Sequence, residues 1–159
     1  MAKAAKPVPQ GYHTITPQLT LDNAAQTIEW YKRALGAEEL SRSLGPDGKV
    51  MHAELKIGDS RIMVNDVMPG SKGPKEYGGS PASIWLFVEN SDDLFNRAVD
   101  AGGTVQMPIE DQFWGDRAGA FADPNGYTWW IATRKEDFTP EEMKQRAEEF
   151  FKQMASAGR

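Results

Sequence analysis

The pentad Leu19-Thr20-Leu21-Asp22-Asn23 returns 67 residues later as Leu86-Phe87-Val88-Glu89-Asn90, and the pair Gly58-Asp59 returns at the same spacing as Asn125-Gly126. One offset that relates both ends of two segments marks an internal duplication. A chain of this kind must therefore build its core from two copies of one supersecondary unit.

In the first copy Ile15, Leu19 and Leu21 alternate with Thr14, Thr16, Gln18 and Thr20, the period-two pattern of a strand with unlike faces. The strand is expected to run from Tyr12 to Leu21, with its aliphatic residues under a helix and its polar ones on the other face. Pro17 offers no N–H to a ladder, which assigns the strand to an edge or a bulge. Asp22 or Asn23 caps a helix in which Ile28, Tyr31 and Leu35 recur at helical spacing, and Gly36 supplies its left-handed stop. Strands over 38–44, 50–57 and 61–65 follow, separated by Gly45-Pro46-Asp47-Gly48 and Gly58-Asp59.

The second copy repeats this order. A strand over 83–88 leads into a helix capped by Ser91, with Asp92 and Asp93 in its first turn and Gly102 at its stop. Strands over 104–107, 118–122 and 127–133 complete it, and Asp123-Pro124-Asn125-Gly126 reads as turn chemistry alone. Beyond the repeat, Thr139-Pro140-Glu141-Glu142 is a capping box opening a helix whose apolar stripe is Met143, Ala147, Phe150, Phe151 and Met154. The organisation is thus a flexible lead-in at 1–11, a first module at 12–68, a Gly- and Pro-rich linker at 69–81, a second module at 82–134 and a helical extension at 135–159. The fold class is α+β: two tandem βαβββ modules forming a curved, cup-like mixed sheet, plus the C-terminal amphipathic helix.

Composition removes several function classes. The 159 residues carry a net charge of −5 with dispersed Lys and Arg, the wrong balance for a nucleic-acid partner. There is no Cys, which removes disulfides, thiolate metal sites and Cys nucleophiles together. The first nine residues hold charge but no apolar stretch, so neither a signal peptide nor a membrane anchor is expected, and a cytoplasmic location follows.

Several local words match a known family. The segments Ile-Glu-Trp-Tyr-Lys-Arg-Ala-Leu-Gly-Ala at 28–37, Met-His-Ala-Glu-Leu-Lys-Ile-Gly-Asp-Ser at 51–60, Gly-Gly-Ser-Pro at 78–81 and Asp-Gln-Phe-Trp-Gly-Asp-Arg at 111–117 are among them, with Asp-Pro-Asn-Gly at 123–126 and the tail from Arg134. With the duplicated unit, they resemble the vicinal oxygen chelate superfamily of glyoxalases, bleomycin-resistance proteins and extradiol dioxygenases, in its PhnB-like branch. The resemblance covers roughly residues 12 to 145. It implies a cup with helices on its convex side and a ligand cavity on its concave side, and it leaves the reaction open, because this scaffold hosts many chemistries.

The resemblance also implies a test. Metal-dependent members draw one ligand from the first and one from the fourth strand of each unit, and those positions fall here on Thr16, Met63, Ser83 and Trp130. An alcohol twice, a thioether and an indole do not replace the imidazoles and carboxylates that divalent metals need. No cofactor is expected, and a divalent metal enters only if a displaced site exists. Three readings stand for His52 and Glu54, which share one strand face: a displaced metal site completed by Asp66 or another carboxylate, a plain polar face continued by Lys56, or acid-base catalysis near neutral pH.

Without a metal, binding rests on shape, aromatic faces and hydrogen bonds. The expected ligand-binding residues are Thr16, Gln18, Met63, Asn65, Ser83, Trp85, Phe87, Trp114, Arg117 and Trp130, with Thr14 and Thr128 also inward and His52 and Glu54 as catalytic candidates. Trp85 and Trp130 either stack on a planar ligand or simply plug the cup. Asp116 is expected to fix Arg117, whose planar fork then either meets an anionic ligand or locks its loop. The leading function is a metal-free binder of a small, planar molecule, of the resistance or sequestration type, working as a homodimer. The alternatives are a superfamily enzyme (lyase, isomerase or dioxygenase) and an interaction protein whose last helix docks on a partner through Phe150, Phe151 and Met154.

Overall fold

The computed structural model describes residues 6–158, so the first half of the expected lead-in lies outside the described residues. The first module comprises β1 (Gln18–Leu21), α1 (Ala24–Leu35), β2 (Glu38–Leu44), β3 (Val50–Ile57) and β4 (Ser60–Asp66). The second comprises β5 (Ser83–Phe87), α2 (Ser91–Asp100), β6 (Thr104–Asp111), β7 (Asp116–Ala122) and β8 (Thr128–Arg134), and α3 (Pro140–Ala157) follows. Each module makes one mixed four-stranded sheet, in the orders β1-β4-β3-β2 and β5-β8-β7-β6.

The duplication extends to hydrogen-bond register. Gln18 lies opposite Met63 in the parallel pair β1/β4, and Trp85 lies opposite Trp130 in β5/β8, so both partners move by the same offset. The helix starts repeat as well. Asn23 caps α1 by accepting from the Gln26 N–H, and Asn90 caps α2 by accepting from the Asp93 N–H. The first helical N–H of each is received by the end of the sheet's central strand: Ala24 donates to Asp66 at 2.7 Å, and Ser91 donates to the Thr133 hydroxyl at 2.9 Å. Ser91 is therefore the first helical residue and not the cap, because Asn90 already fills that role.

One strand is shorter than its pattern. β1 begins only at Gln18, and Ile15, expected beneath α1, is 85% exposed. The reason is Pro17: its carbonyl still accepts from the Met63 N–H, but with no N–H of its own it ends the ladder there. β1 is an edge strand, as that proline requires. Leu19 and Leu21 are buried under α1 as the alternation demands.

The modules share one core. Leu21, Ile28, Tyr31, Leu55 and Val64 of the first belong to the same buried cluster as Phe95, Phe121, Trp129 and Ile131 of the second. The helices meet on the convex side, where the Trp30 indole donates to the Ala101 carbonyl at 2.7 Å. Tyr31 meets Trp129 edge-on, with ring centroids 5.4 Å apart.

Candidate functional site

Strand alternation divides the second sheet cleanly. Trp129 and Ile131 of β8 and Phe121 of β7 point into the core, so Ser83, Trp85 and Phe87 of β5 and Thr128, Trp130 and Ala132 of β8 share the concave face. Because Trp85 and Trp130 are register partners, their indoles stack face on face, 4.6 Å between centroids and 4° from parallel. Phe87 continues the stack at 6.1 Å, and Trp114 meets Trp85 edge-on at 6.4 Å. Ala118, Ala120 and Ala132 are sealed from solvent yet lie outside the core cluster, which places them beneath this aromatic face. Trp85 itself remains 39% exposed, so the indole pair is a wall open to solvent.

The first sheet presents polar groups at the matching positions. The Gln18 amide donates to Asn65 at 2.9 Å, and Asn65 donates in turn to the Asp66 carbonyl at 2.9 Å. Glu54 lies between the His52 imidazole, 3.7 Å from its Nε2, and the Arg61 guanidinium at 3.8 Å. The Arg61 guanidinium sits over the Tyr12 ring at 4.9 Å. Burial, then the Glu54 carboxylate, raise the Tyr12 phenol above its ordinary pKa.

The four family metal positions do not converge on donors that fit a divalent ion. Met63 brings a thioether and Trp130 an indole already stacked on Trp85. Thr16 lies ahead of β1 and lines a cavity of about 230 Å³ with Tyr12, Ile62, Ile84 and Trp85, at the seam between the modules. Asp66 cannot join His52 and Glu54, because it is on the core side and its two oxygens accept from the Ala24 and Val50 N–H groups at 2.7 Å each. Among the described residues no group of three or more His, Asp or Glu is gathered closely enough to hold an ion.

The loop between β6 and β7 carries Phe113 and Trp114, and its charges pair differently from the expectation. Arg117 grips Asp92 of α2 with two bonds of 2.6 and 2.7 Å and reaches Asp111 at 3.2 Å. Asp116 instead accepts from the Trp114 indole at 2.9 Å and lies 2.7 Å from Arg134. Neighbours on a strand point to opposite faces, so Asp116 and Arg117 could not have met. The Arg117 fork is thus occupied on the helix side, where it holds the Asp92 carboxyl below the usual carboxylate range.

The Asp-Pro-Asn-Gly turn has a larger role than turn chemistry. The first module closes β3/β4 with Gly58-Asp59, whereas the second uses Pro124-Asn125-Gly126, one residue longer, between Asp123 and Tyr127. The longer turn reaches the first module. Asp123 accepts from the Tyr31 hydroxyl at 2.6 Å and the Trp129 indole at 3.0 Å, and Asn125 accepts from the Asp22 N–H at 2.8 Å while donating to Thr27 at 2.7 Å. Burial, then Asp123, push the Tyr31 phenol well above its usual range.

The last helix turns part of its stripe inward. Phe150 stacks on Phe113 at 4.7 Å, while Phe151 and Met154 are 62% and 58% exposed. No helix among the described residues is long and apolar enough to cross a membrane.

Comparison with known proteins adds the following. A family model described as Glyoxalase/Bleomycin resistance protein/Dioxygenase superfamily matches residues 12–131. The uncharacterized protein Mb0911c of Mycobacterium bovis is 46% identical over 120 residues, which cover 72% of this chain and 79% of that one. Protein PA1353 of Pseudomonas aeruginosa, a solved structure, superposes with a TM-score of 0.64 at 30% identity, over 78% of this chain and 99% of that one. A PhnB protein from Bacillus cereus shares the fold, with a TM-score of 0.60 at 19% identity over 76% of this chain and 99% of that one.

Proposed function

The chain belongs to the glyoxalase/bleomycin resistance protein/dioxygenase superfamily, and from that membership we propose that it is a cytoplasmic, metal-free binder of a small planar molecule. The observation that carries this reading is the Trp85–Trp130 pair. Trp130 occupies a position where metal-using relatives place a ligand to the ion, and here it stacks on Trp85 in a solvent-open aromatic face. A planar ring laid against the exposed Phe87 end of the stack extends it, and each such contact adds about 0.5 to 1.5 kcal/mol beyond simple burial. Ser83, opposite Thr128 across β5 and β8 on the same face, supplies a hydroxyl to orient the ligand. Binding without turnover suits resistance by sequestration.

A homodimer belongs to the same proposal. Trp85, Phe87 and Met107 are large apolar side chains exposed on one sheet, and a second copy closing over them would complete the cavity and bury them. One observation keeps an enzyme reading alive, namely the 3.7 Å approach of His52 to Glu54 on the facing polar sheet.

The test is a titration of the full chain with fused bicyclic and tricyclic aromatics, quinoline among them, read by tryptophan fluorescence and melting temperature. Quenching that saturates, and that Trp130→Ala removes, is expected. No response to any member of the panel refutes the reading, as does a stoichiometric metal held at Thr16, Met63, Ser83 and Trp130. Turnover that His52→Ala abolishes would replace binding with catalysis.

A further inference from the structure

The helix α3 has no buried residue, so it adds nothing to the shared core, yet its contacts with the body converge on one loop. Phe150 stacks on Phe113, and Phe151 meets the same ring at 6.2 Å. The Arg146 side chain donates to the Phe113 carbonyl at 2.7 Å while its guanidinium lies over the Phe138 ring at 4.3 Å. The segment leading into the helix grips the other end of the loop, where the Gly115 carbonyl accepts from both Lys135 and Glu136 at 2.9 and 3.0 Å. Gly115 has a φ of +96°, and a Cβ there would run into the Glu136 carbonyl oxygen. Between these two grips sits Trp114, 5.2 Å from Phe113 on one side and edge-on to Trp85 on the other.

We propose that the C-terminal helix is a strap that positions Trp114 at the rim of the aromatic wall, with Phe150 and Arg146 as positioning residues. The inference rests on the reading of that wall as a ligand surface and adds a specificity element that sequence neighbours of the wall do not contain. The chain of rings from Phe150 through Phe113 and Trp114 to Trp85 is continuous, so a shift of the helix is carried to the place where a planar ligand would end. Neither positioning residue touches the ligand. Their effect reaches it through the setting of one indole.

The experiment uses the full chain labelled with 5-fluorotryptophan, whose Trp114 fluorine resonance is assigned through Trp114→Phe. Phe150→Ala and Arg146→Gln are expected to shift or broaden that resonance and leave those of Trp30 and Trp129 in place, with Phe150→Tyr restoring it. Quinoline affinity should fall by about two- to tenfold in Phe150→Ala, the worth of one misplaced aromatic contact, and recover in Phe150→Tyr. An unmoved Trp114 resonance in both variants overturns the strap. So does a shift of all five resonances accompanied by a lower melting temperature, which would make the helix a general support. If no member of the aromatic panel, quinoline included, binds the parent or any variant, the ligand reading fails, and the resonance still decides the strap by itself.

Discussion

Replacing Asp123 by Ala should be among the costlier single changes in this protein, because it strips the joint between the modules of the carboxylate that accepts from two buried donors. The Tyr31 hydroxyl and the Trp129 indole N–H both end on one carboxylate oxygen, and both side chains are fully buried. A buried donor left without a partner costs about 1 to 3 kcal/mol, so the two together cost about 2 to 6 kcal/mol. The other oxygen receives the Asn125 and Tyr127 N–H groups at 2.9 and 3.0 Å, which adds to the loss where water cannot replace it. Asp123→Asn keeps one oxygen and leaves Trp129 alone unmet, because a hydroxyl can turn to accept from the new amide whereas an indole N–H cannot. It should therefore cost less than Asp123→Ala. Urea melts of the full chain, read at several wavelengths, measure both. The pH axis gives a second arm. Tyr31 titrates higher in the folded state than in the unfolded chain, so its contribution is complete below the ordinary tyrosine value near 10 and fades as pH rises beyond it, by about 1.4 kcal/mol per unit. Tyr31→Phe should remove that alkaline slope. An Asp123→Ala variant within about 1 kcal/mol of the parent, the lower bound for one unmet donor, or an alkaline limb unchanged in Tyr31→Phe, would refute the account of the joint.

Gly115→Ala forces a left-handed conformation on an L-residue and drives its Cβ into Glu136, so the conformation alone should cost about 1 to 2 kcal/mol, seen as a lower melting temperature. Ile15→Ser should leave stability within about 0.5 kcal/mol of the parent, whereas Leu21→Ala should lose about 2 to 5 kcal/mol, and equal effects in chemical denaturation would contradict the shortened β1. Asp92 titrates lower when folded, so the stabilisation from its pair with Arg117 is present above the ordinary Asp value near 4 and is lost as pH falls through the lowered one. Asp92→Asn should flatten the acid limb of the stability profile below that value, and an unchanged limb would show that the pair is neutral to folding.

The readable parts of this chain were the local ones. The Asn23 cap, the capping box at Thr139 and the left-handed stop at Gly36 depend on residues a few positions apart, and all three stand in the structure, whereas the cap of α2 falls one residue earlier than expected, on Asn90. The duplication was readable too, because equal spacing needs no knowledge of contacts. What was hidden lies at long range. The acceptor for Arg117 is on α2, 25 residues away, and the partners of Asp123 include Tyr31, 92 residues away. Two signals could still have been read. Adjacent residues on a strand face opposite ways, which separates Asp116 from Arg117, and a proline without an N–H stops the period-two pattern at Gln18 even though the alternation continues through Ile15.

The two modules also show how one backbone plan yields two surfaces. Gln18, Met63 and Asn65 of the first sheet correspond in register to Trp85, Trp130 and Ala132 of the second. In the first, the Gln18 amide donates to Asn65, which donates onward to the Asp66 carbonyl. In the second, the small Ala132 lies opposite Phe87, and the indoles of Trp85 and Trp130 stack on each other, with Phe87 and Trp114 against Trp85. Register places the side chains, and side-chain chemistry alone then divides a self-satisfied polar face from an aromatic one that still has surface to offer. A ligand gains little by competing with a hydrogen bond already made. It gains more where aromatic rings stay exposed, as Trp85 and Phe87 do, and under the proposed binding reading that asymmetry favours the second module.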